Sequence, residues 1–255
     1  MTRTIDLNAD MGESFGAWSL GNDAALLDIV TSANIACGFH AGDPDVMATT
    51  MKLAVEKGVG IGAHPGFPDL RGFGRYRMHL PLDQLGNAVR YQLGAAQAMA
   101  KVAGGCVRHL KLHGALANMC AENADMAQAC YIAALEVDPE LIIMVLAGTQ
   151  QQKVVEELGT AFAAEIFADR AYNDDATLVD RSLKGAVIHD AELAAARMVK
   201  MVSEGAIVAE SGKRIATRID TICMHGDTPE AVEIARAVRV ALGVAGIAAK
   251  AFPYE

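Results

Sequence analysis

The chain has 255 residues, 52% of them hydrophobic and 21% charged, and a formal net charge of −9. It can therefore bury a large core without disulfides, and an acidic balance without a basic block argues against nucleic acid and anionic membrane surfaces as partners. The five cysteines include no C-x-x-C pair, no apolar run is long enough to span a membrane, and the first residues lack a secretory signal pattern. We therefore expect a soluble, cytoplasmic protein with reduced thiols.

Strand and helix patterns alternate along the chain. Helical spacing of apolar residues, with Asp43-Pro44 as a start signal and Gly58 as a stop signal, predicts the helices. The predicted helices are 43–57, 82–102, 114–135 with a break near 122–123, 149–158, 190–203 and 227–242. The predicted strands are 5–7, 35–37, 59–63, 107–112, 141–146, 162–168, 206–209, 219–224 and 246–249.

This alternation predicts the fold class α/β. Strands that alternate with helices pair in parallel through right-handed crossovers, and the length suits one distorted parallel (β/α) barrel. No linker or repeat divides the chain, so we expect residues 1–255 to form a single catalytic domain. The two longest irregular segments, 65–81 and 170–185, are expected to be binding loops or lids.

Polar side chains recur where predicted strands end. In a barrel of parallel strands these ends open on one face, so residues far apart in sequence converge there. The first strand leads into Asn8, Asp10 and Glu13, and alternation places Asn8 and Asp10 on the same face. These residues suit catalysis or substrate binding, and the alternative is that they are polar residues capping the next helix.

Two histidines follow the second and third strands. His40 and His64 together with Asp10 offer the imidazole and carboxylate ligands that a divalent metal such as zinc accepts. No H-x-H or H-x-x-x-H spacing supports the metal, and histidines that only form hydrogen bonds are the alternative. Cys37 lies beside His40, but a buried cysteine at a strand end is more often inert packing than a nucleophile.

The fourth strand carries Lys111 and His113 on one face. Lys111 can hold a phosphate or carboxylate oxygen, and His113 or Asp10 can act as a base near neutral pH. The alternative for Lys111 is a structural ion pair with a barrel acid such as Asp10. We predict Asp10, Lys111 and His113 as the catalytic residues.

The remaining strand ends supply candidates for substrate binding. Arg170 can grip a carboxylate in a bidentate way, although a surface salt bridge is its alternative. Asp227 is also expected to cap the last helix. The predicted substrate-binding residues are Asn8, Glu13, Asn34, Asp169, Arg170, His225 and Asp227. The sequence contains neither G-x-x-x-x-G-K-[ST] nor a strand-borne G-x-G-x-x-G, so no nucleotide cradle is predicted.

Taken together, these clusters resemble the bacterial LamB/YcsF lactam-utilisation family, in the expected order and over nearly the whole chain. The motifs are Asp6 to Glu13 (DLNADMGE), Asn34 to Asp43, His64-Pro65-Gly66, Lys111 to Leu116 (KLHGAL), Phe167 to Tyr172 (FADRAY) and His225 to Pro229 (HGDTP). The family usually has Pro where Leu112 stands and Tyr where Ala117 stands, which bears on local substrate fit. Lys111, His113 and Asn118 are retained.

The resemblance implies a barrel like that of glycoside hydrolases and deacetylases. It also implies ATP-dependent opening of 5-oxoproline to glutamate, as the A subunit of a 5-oxoprolinase whose B and C subunits activate the lactam by phosphorylation. ATP would then be used mainly with those partners, and a divalent metal and a homo-oligomer stay open. Two other functions remain: a stand-alone metal-dependent deacetylase or amidohydrolase, and a metabolite-binding regulatory subunit.

Overall fold

A computed structural model describes residues 3–226 and 230–252. Within them the strands are β1 (Arg3–Met11), β2 (Ser32–Ala36), β3 (Gly60–His64), β4 (Val107–Lys111), β5 (Ile142–Leu146), β6 (Phe162–Phe167), β7 (Ala206–Val208), β8 (Arg214–Ala216), β9 (Thr221–Met224) and β10 (Ile247–Ala249). The helices are α1 (Asp23–Leu26), α2 (Pro44–Lys57), α3 (Leu82–Val102), α4 (Gly114–Glu122), α5 (Ala124–Val137), α6 (Gln150–Leu158), α7 (Ala191–Glu204) and α8 (Ala231–Val244).

Seven parallel strands close into a barrel in the order β1-β2-β3-β4-β5-β6-β9. Closure occurs because β1 pairs with β9 on one side, where Asp6 lies opposite Thr221, and with β2 on the other, where Asp10 lies opposite Asn34. The short β10 adds to the start of β1. The predicted α/β barrel is therefore confirmed, with helices between successive strands.

Local signals place most helix ends where the sequence predicts them. Asp43 caps α2 by accepting hydrogen bonds from the backbone N–H groups of Asp45 and Val46, and Gly58 ends that helix in the left-handed region at φ 69°. The predicted break between α4 and α5 falls at Asn123, whose side chain caps α5. Along the described residues, no helix combines the length and the apolar character that a membrane crossing requires.

One predicted strand takes a different place from its neighbours. The strand predicted at 206–209 is present as β7, over Ala206–Val208, but it pairs antiparallel with β8 outside the barrel. The sequence analysis missed β8 and α1, which have three and four residues. Elements this short show too little of a repeating pattern to stand out from a loop.

The barrel interior is polar, whereas the layer between strands and helices is apolar. On β1, the buried residues Leu7, Ala9 and Met11 belong to the hydrophobic core. The alternate residues Asp6, Asn8 and Asp10 are equally buried but contact side chains of other strands inside the barrel. Burying so many polar groups is costly unless they form hydrogen bonds or ion pairs with one another. The polar side chains inside the barrel are therefore held in place by such contacts.

Candidate active site

A cavity of about 450 Å³ opens at the C-terminal ends of the strands. Its floor includes Asp10, His64, Lys111 and His113, and its wall includes His225. Both long segments that the sequence predicts as binding loops border the cavity, the first through Arg75 and Arg77 and the second through residues 170 and 177–181. Asp10, His64, Lys111, His113 and His225, which follow or end different strands, thus line one cavity.

The lowest polar layer of the barrel surrounds Asp6. Its carboxylate accepts hydrogen bonds from the hydroxyl groups of Thr31 at 2.6 Å, Ser32 at 2.7 Å and Thr221 at 2.6 Å. Burial raises the pKa of Asp6 to about 6, although these three hydrogen bonds oppose the shift. This layer lies below the cavity and connects β1, β2 and β9.

Above it, Lys111 is the centre of a buried charge cluster. Its ammonium nitrogen donates to Asp10 Oδ1 at 2.8 Å and to Cys223 Sγ at 2.9 Å, and it lies 3.1 Å from Glu165 Oε1. Burial opposes the charged form of Lys111, but the Asp10 carboxylate, Cys223 and Glu165 outweigh it and raise the pKa of the ammonium. Burial has the opposite effect on an acid: it raises the pKa of Glu165, although Lys111 opposes the shift.

Asp10 stays ionised despite burial. Burial would raise its pKa, yet His64 and Lys111 hold the pKa well below the usual range. Its Oδ1 also accepts a hydrogen bond from Asn34 Nδ2 at 2.9 Å, and Asn34 in turn contacts Asn8 at 2.7 Å and His109 at 2.8 Å. These amide contacts orient Asp10 from below.

The mouth also holds three imidazoles and a carboxylate. Atoms of Glu13, His40, His64 and His113 lie within 4.8 Å of one another, and all four side chains are buried. The rings of His40 and His113 stack at 3.6 Å between centroids and 5° between planes. Burial lowers the pKa of both His40 and His113 well below the usual value, which favours neutral rings.

His225 and Asp169 form a dyad on the opposite wall. His225 Nδ1 lies 2.8 Å and 2.9 Å from the two carboxylate oxygens of Asp169. Burial would raise the pKa of Asp169, but the neighbouring His225 is the main group that outweighs it, and the pKa of Asp169 lies below its usual value. A carboxylate can only accept here, so it holds the proton on Nδ1 and leaves Nε2 of His225 able to accept one.

Arginines crowd the rim of the cavity. Arg170 donates from Nη2 to the carbonyl of Val179 at 2.6 Å and from Nε to that of Ala186 at 3.3 Å, so two of its donors hold the second loop. Burial, followed by the neighbouring Arg181 guanidinium, lowers the pKa of Arg170 to about 10, at which the group remains charged near neutral pH. With Arg75 also lining the cavity, the rim favours an anionic ligand.

The predicted substrate-binding residues take different places in the structure. Asn8, Asn34 and Asp169 are buried and do not line the cavity: Asn34 donates to Asp10 and to Asn8, and Asp169 contacts His225. Glu13 lines a second cavity instead. Arg170 and His225 do line the first cavity. Asp227 lies outside the described residues.

The residues predicted as metal ligands fall into two groups in the structure. His40 and His64 share a cluster with Glu13 and His113, whereas Asp10 groups with Cys223 and His225. Alternation along β1 placed Asp10 at the mouth but gave no signal of which strand ends lie nearest one another.

Cys37 is buried and its thiol donates to the Ile35 carbonyl at 3.3 Å, and burial raises its pKa to about 12, as expected for a packing residue.

Sequence reasoning missed Glu165 and Cys223, the further partners of Lys111. Both sit in strands that read as continuous apolar runs, which is the usual pattern for strands covered on both faces. A carboxylate inside such a run is the one signal that could have drawn attention to Glu165, since isolated buried charges are costly. Cys223 carried no comparable signal.

A second cavity, of about 400 Å³, approaches the imidazole cluster from the other side. Glu13 and His40 lie at its inner end, and Trp18, which is 74% exposed, lies at its rim. The remaining lining residues are mostly apolar: Phe15, Ser19, Leu20, Ala41, Leu70, Arg71 and Phe73. The cluster therefore forms a wall between two cavities.

Comparison with known proteins gives a consistent result. The LamB/YcsF family model matches residues 5–254. A Ruegeria pomeroyi protein named as the A subunit of 5-oxoprolinase is 68% identical over 99% of both chains, and one of the same name from Gluconobacter oxydans is 54% identical over 98% of both. The crystal structure of a lactam utilization protein from Thermus thermophilus is 43% identical, with TM-score 0.91 over 98% of this chain and 100% of that one.

More distant structures share the barrel alone. A family 4 carbohydrate esterase from Streptomyces lividans superimposes with TM-score 0.50 at 12% identity, over 99% of this chain and 94% of that one. The two chains therefore share the barrel fold.

Proposed function

Because this chain belongs to the LamB/YcsF family, we propose that it is the A subunit of a 5-oxoprolinase and opens 5-oxoproline to glutamate by hydrolysis of the cyclic amide. The observation that carries the proposal is the cavity over Lys111, whose floor holds acids and imidazoles and whose rim holds arginines. ATP enters the reaction through B and C partner subunits, which phosphorylate the lactam oxygen. The relatives are named as one lettered subunit of an enzyme, which supports the existence of such partners.

The chemistry of the substrate explains why such a site is suited to it. A lactam is stabilised by amide resonance, and phosphorylation of its oxygen weakens that resonance and makes the ring carbon electrophilic. The activated lactam carries both a phosphate and a carboxylate, so it needs several cations in one small space. Lys111 at the floor with Arg75 and Arg170 at the rim meet that need.

Attack on the activated carbon requires a water molecule and a base. Asp10 and His113 remain predicted bases, but Asp10 already accepts from Lys111 and Asn34, and His113 contacts Phe73 and His64. His225 joins them, because Asp169 holds its Nδ1 and leaves Nε2 to accept the proton of the water. Lys111 stabilises the negative charge that develops as the carbon–oxygen bond forms. The ring carbon–nitrogen bond then breaks, its nitrogen takes up the proton that the base removed from the water, and the resulting acyl phosphate is hydrolysed by a second water to glutamate and phosphate.

The test is release of glutamate from 5-oxoproline and ATP, with and without the B and C subunits. We expect negligible turnover by the isolated chain and full turnover once the partners are added. Robust turnover by the isolated chain would instead favour a stand-alone hydrolase. Tight binding of 5-oxoproline with no turnover even in the complex would favour a regulatory role.

A matched pair of variants locates the chemistry. Lys111→Ala removes a charge-assisted contact worth about 1.5–3 kcal/mol, so the complex should lose roughly tenfold to a hundredfold in rate. Lys52→Ala is the control, because the Lys52 side chain is 73% exposed. Rates are to be normalised to folded protein, and equal rates for the two variants would exclude Lys111 from the chemistry.

A stand-alone metal-dependent amidohydrolase is the second candidate, and the cluster of imidazoles at the mouth is the observation that favours it. The same glutamate assay separates the two functions through the requirement for partners.

A further inference from the structure

Two histidines at the barrel mouth direct ring nitrogens toward each other. His64 Nδ1 lies 2.8 Å from the backbone carbonyl of Lys111, and His113 Nε2 lies 2.8 Å from that of Phe73. A carbonyl oxygen only accepts, so these two nitrogens carry the ring protons. The other nitrogens, His64 Nε2 and His113 Nδ1, are 3.0 Å apart, and they lie 3.3 Å from Asp10 Oδ2 and 3.7 Å from Glu13 Oε1, respectively. Imidazole nitrogens beside carboxylate oxygens are a donor set that a divalent cation accepts.

The spacing of the surrounding atoms fits a small tetrahedral ion. Zinc binds imidazole nitrogen and carboxylate oxygen at about 2.0–2.1 Å, which places tetrahedral ligand atoms about 3.3 Å apart. Besides the 3.0 Å pair, His40 Nε2 lies 3.4 Å from Glu13 Oε1, and His113 Nδ1 lies 3.7 Å from the same oxygen. The four ligand atoms all lie within 4.8 Å of one another, and binding of one ion requires the His40 and His113 rings to turn out of the parallel stack that they form at 3.6 Å.

His40 gives an independent indication. It is 1% exposed, and neither of its ring nitrogens has a hydrogen-bond partner among the residues that the structure describes. Leaving a buried polar atom unpaired typically costs about 1–3 kcal/mol, which a bound ligand would remove. The second cavity, which reaches Glu13 and His40, offers an entry path for an ion.

We propose that Glu13, His40, His64 and His113 bind one divalent cation of the zinc class. The carbonyls of Lys111 and Phe73 are the outer partners that fix the tautomers of two ligands, as is usual around zinc-bound histidines. The ligand set differs from the predicted Asp10, His40 and His64. The site stands or falls independently of the proposed ring opening, because its test measures binding.

The neighbouring group of Asp10, Cys223 and His225 is the competing location. The Lys111 ammonium already donates to both Asp10 and Cys223, at 2.8 Å and 2.9 Å. A second cation there would meet a full positive charge at close range. Burial also raises the pKa of the Cys223 thiol well above its usual value, which disfavours the thiolate that a metal requires.

The experiment is titration of the chelator-treated full chain with Zn²⁺ and Co²⁺. Calorimetry and metal analysis after dialysis give affinity and stoichiometry, and Co²⁺ absorption reports a tetrahedral environment. We expect one ion per chain, and an affinity at least about a hundredfold lower in both His40→Ala and His113→Ala, since loss of even an outer-shell partner costs about 10–100-fold. Glu13→Gln should weaken binding in the same direction.

Matched controls establish that the loss of affinity is specific to these four ligands. His79→Ala and His189→Ala remove histidines outside the cluster and should leave affinity unchanged. Thermal melts without metal establish that each variant folds, and Zn²⁺ should raise the melting temperature of the wild type but not of folded His40→Ala. Cys223→Ser should bind as the wild type does. The proposal is overturned if the wild type takes up no ion, or if Cys223→Ser abolishes binding while His40→Ala retains it.

Discussion

The lower and upper halves of the barrel interior are both polar but differ in how their polar groups are satisfied. In the lower layer, the Asp6 carboxylate accepts from three hydroxyl groups of β2, β9 and the preceding loop. In the upper layer, Lys111 lies among two carboxylates and a thiol, and the nitrogens of His40 lack hydrogen-bond partners among the described residues. The lower layer is therefore structural, whereas the upper layer is left incomplete where a ligand can bind.

The largest expected effect comes from removing the charge at the centre of the upper layer. Lys111→Met leaves Asp10 and Glu165 buried without their cation, and breaking a buried ion pair in this way typically costs about 3–5 kcal/mol of unfolding free energy. Chemical denaturation measures the loss, and Lys52→Met at the surface should change stability by less than about 1 kcal/mol.

A second substitution sharpens this result. Adding Glu165→Gln to Lys111→Met removes one of the two uncompensated carboxylates and should recover part of the lost stability. If the double variant is no more stable than the single one, the Lys111–Glu165 contact contributes nothing and the charge balance of the upper layer rests on Asp10 alone.

In the lower layer, a substitution is expected to lower the free energy of unfolding without changing the catalytic rate. Thr221→Val removes a hydroxyl that donates to Asp6 at 2.6 Å and accepts from Asn8 at 2.7 Å. Leaving these buried groups unpaired should cost about 1–3 kcal/mol by denaturation. The rate of glutamate formation per folded molecule should stay at the wild-type value in the complex. A hundredfold loss of that rate would abolish the distinction between the two layers.

The smallest effect is a pH dependence that belongs to Asp6. Its pKa is about 6 in the folded chain against 3.8 as a reference, so the folded state binds the proton more tightly. Stability from this group is full below pH 3.8 and is lost as pH rises through about 6. In Asp6→Asn this loss is absent. Relative to the wild type, the variant should therefore gain about 1–1.5 kcal/mol between pH 5 and pH 7.5.

Denaturation of both proteins at the two pH values tests this expectation, and the fixed cost of replacing the carboxylate cancels in the difference. A stability difference that does not change with pH would show that Asp6 titrates near its ordinary value in the folded chain.

Much of the fold could be predicted because its signals are local. The cap at Asp43, the stop at Gly58 and the break at Asn123 each depend on side chains within a few residues, and all three were placed correctly. The strand β7 was predicted, but its antiparallel pairing with β8 was not, because the pattern of a strand does not reveal its partner. For the site, alternation correctly brought Lys111 and His113 to the cavity.

What the sequence by itself determined is the alternation of strands and helices, and with it the mouth at which Asp10, Lys111 and His225 meet. Only the tertiary structure decided which of these side chains touch. Lys111 and Asp10 are 101 residues apart, and Thr221 and Asp6 are 215 apart, so their contacts arise from barrel closure and register. The roles of Glu165 and Glu13 depend on the same long-range geometry, because strand periodicity specifies the face of a residue but not its neighbour across the barrel.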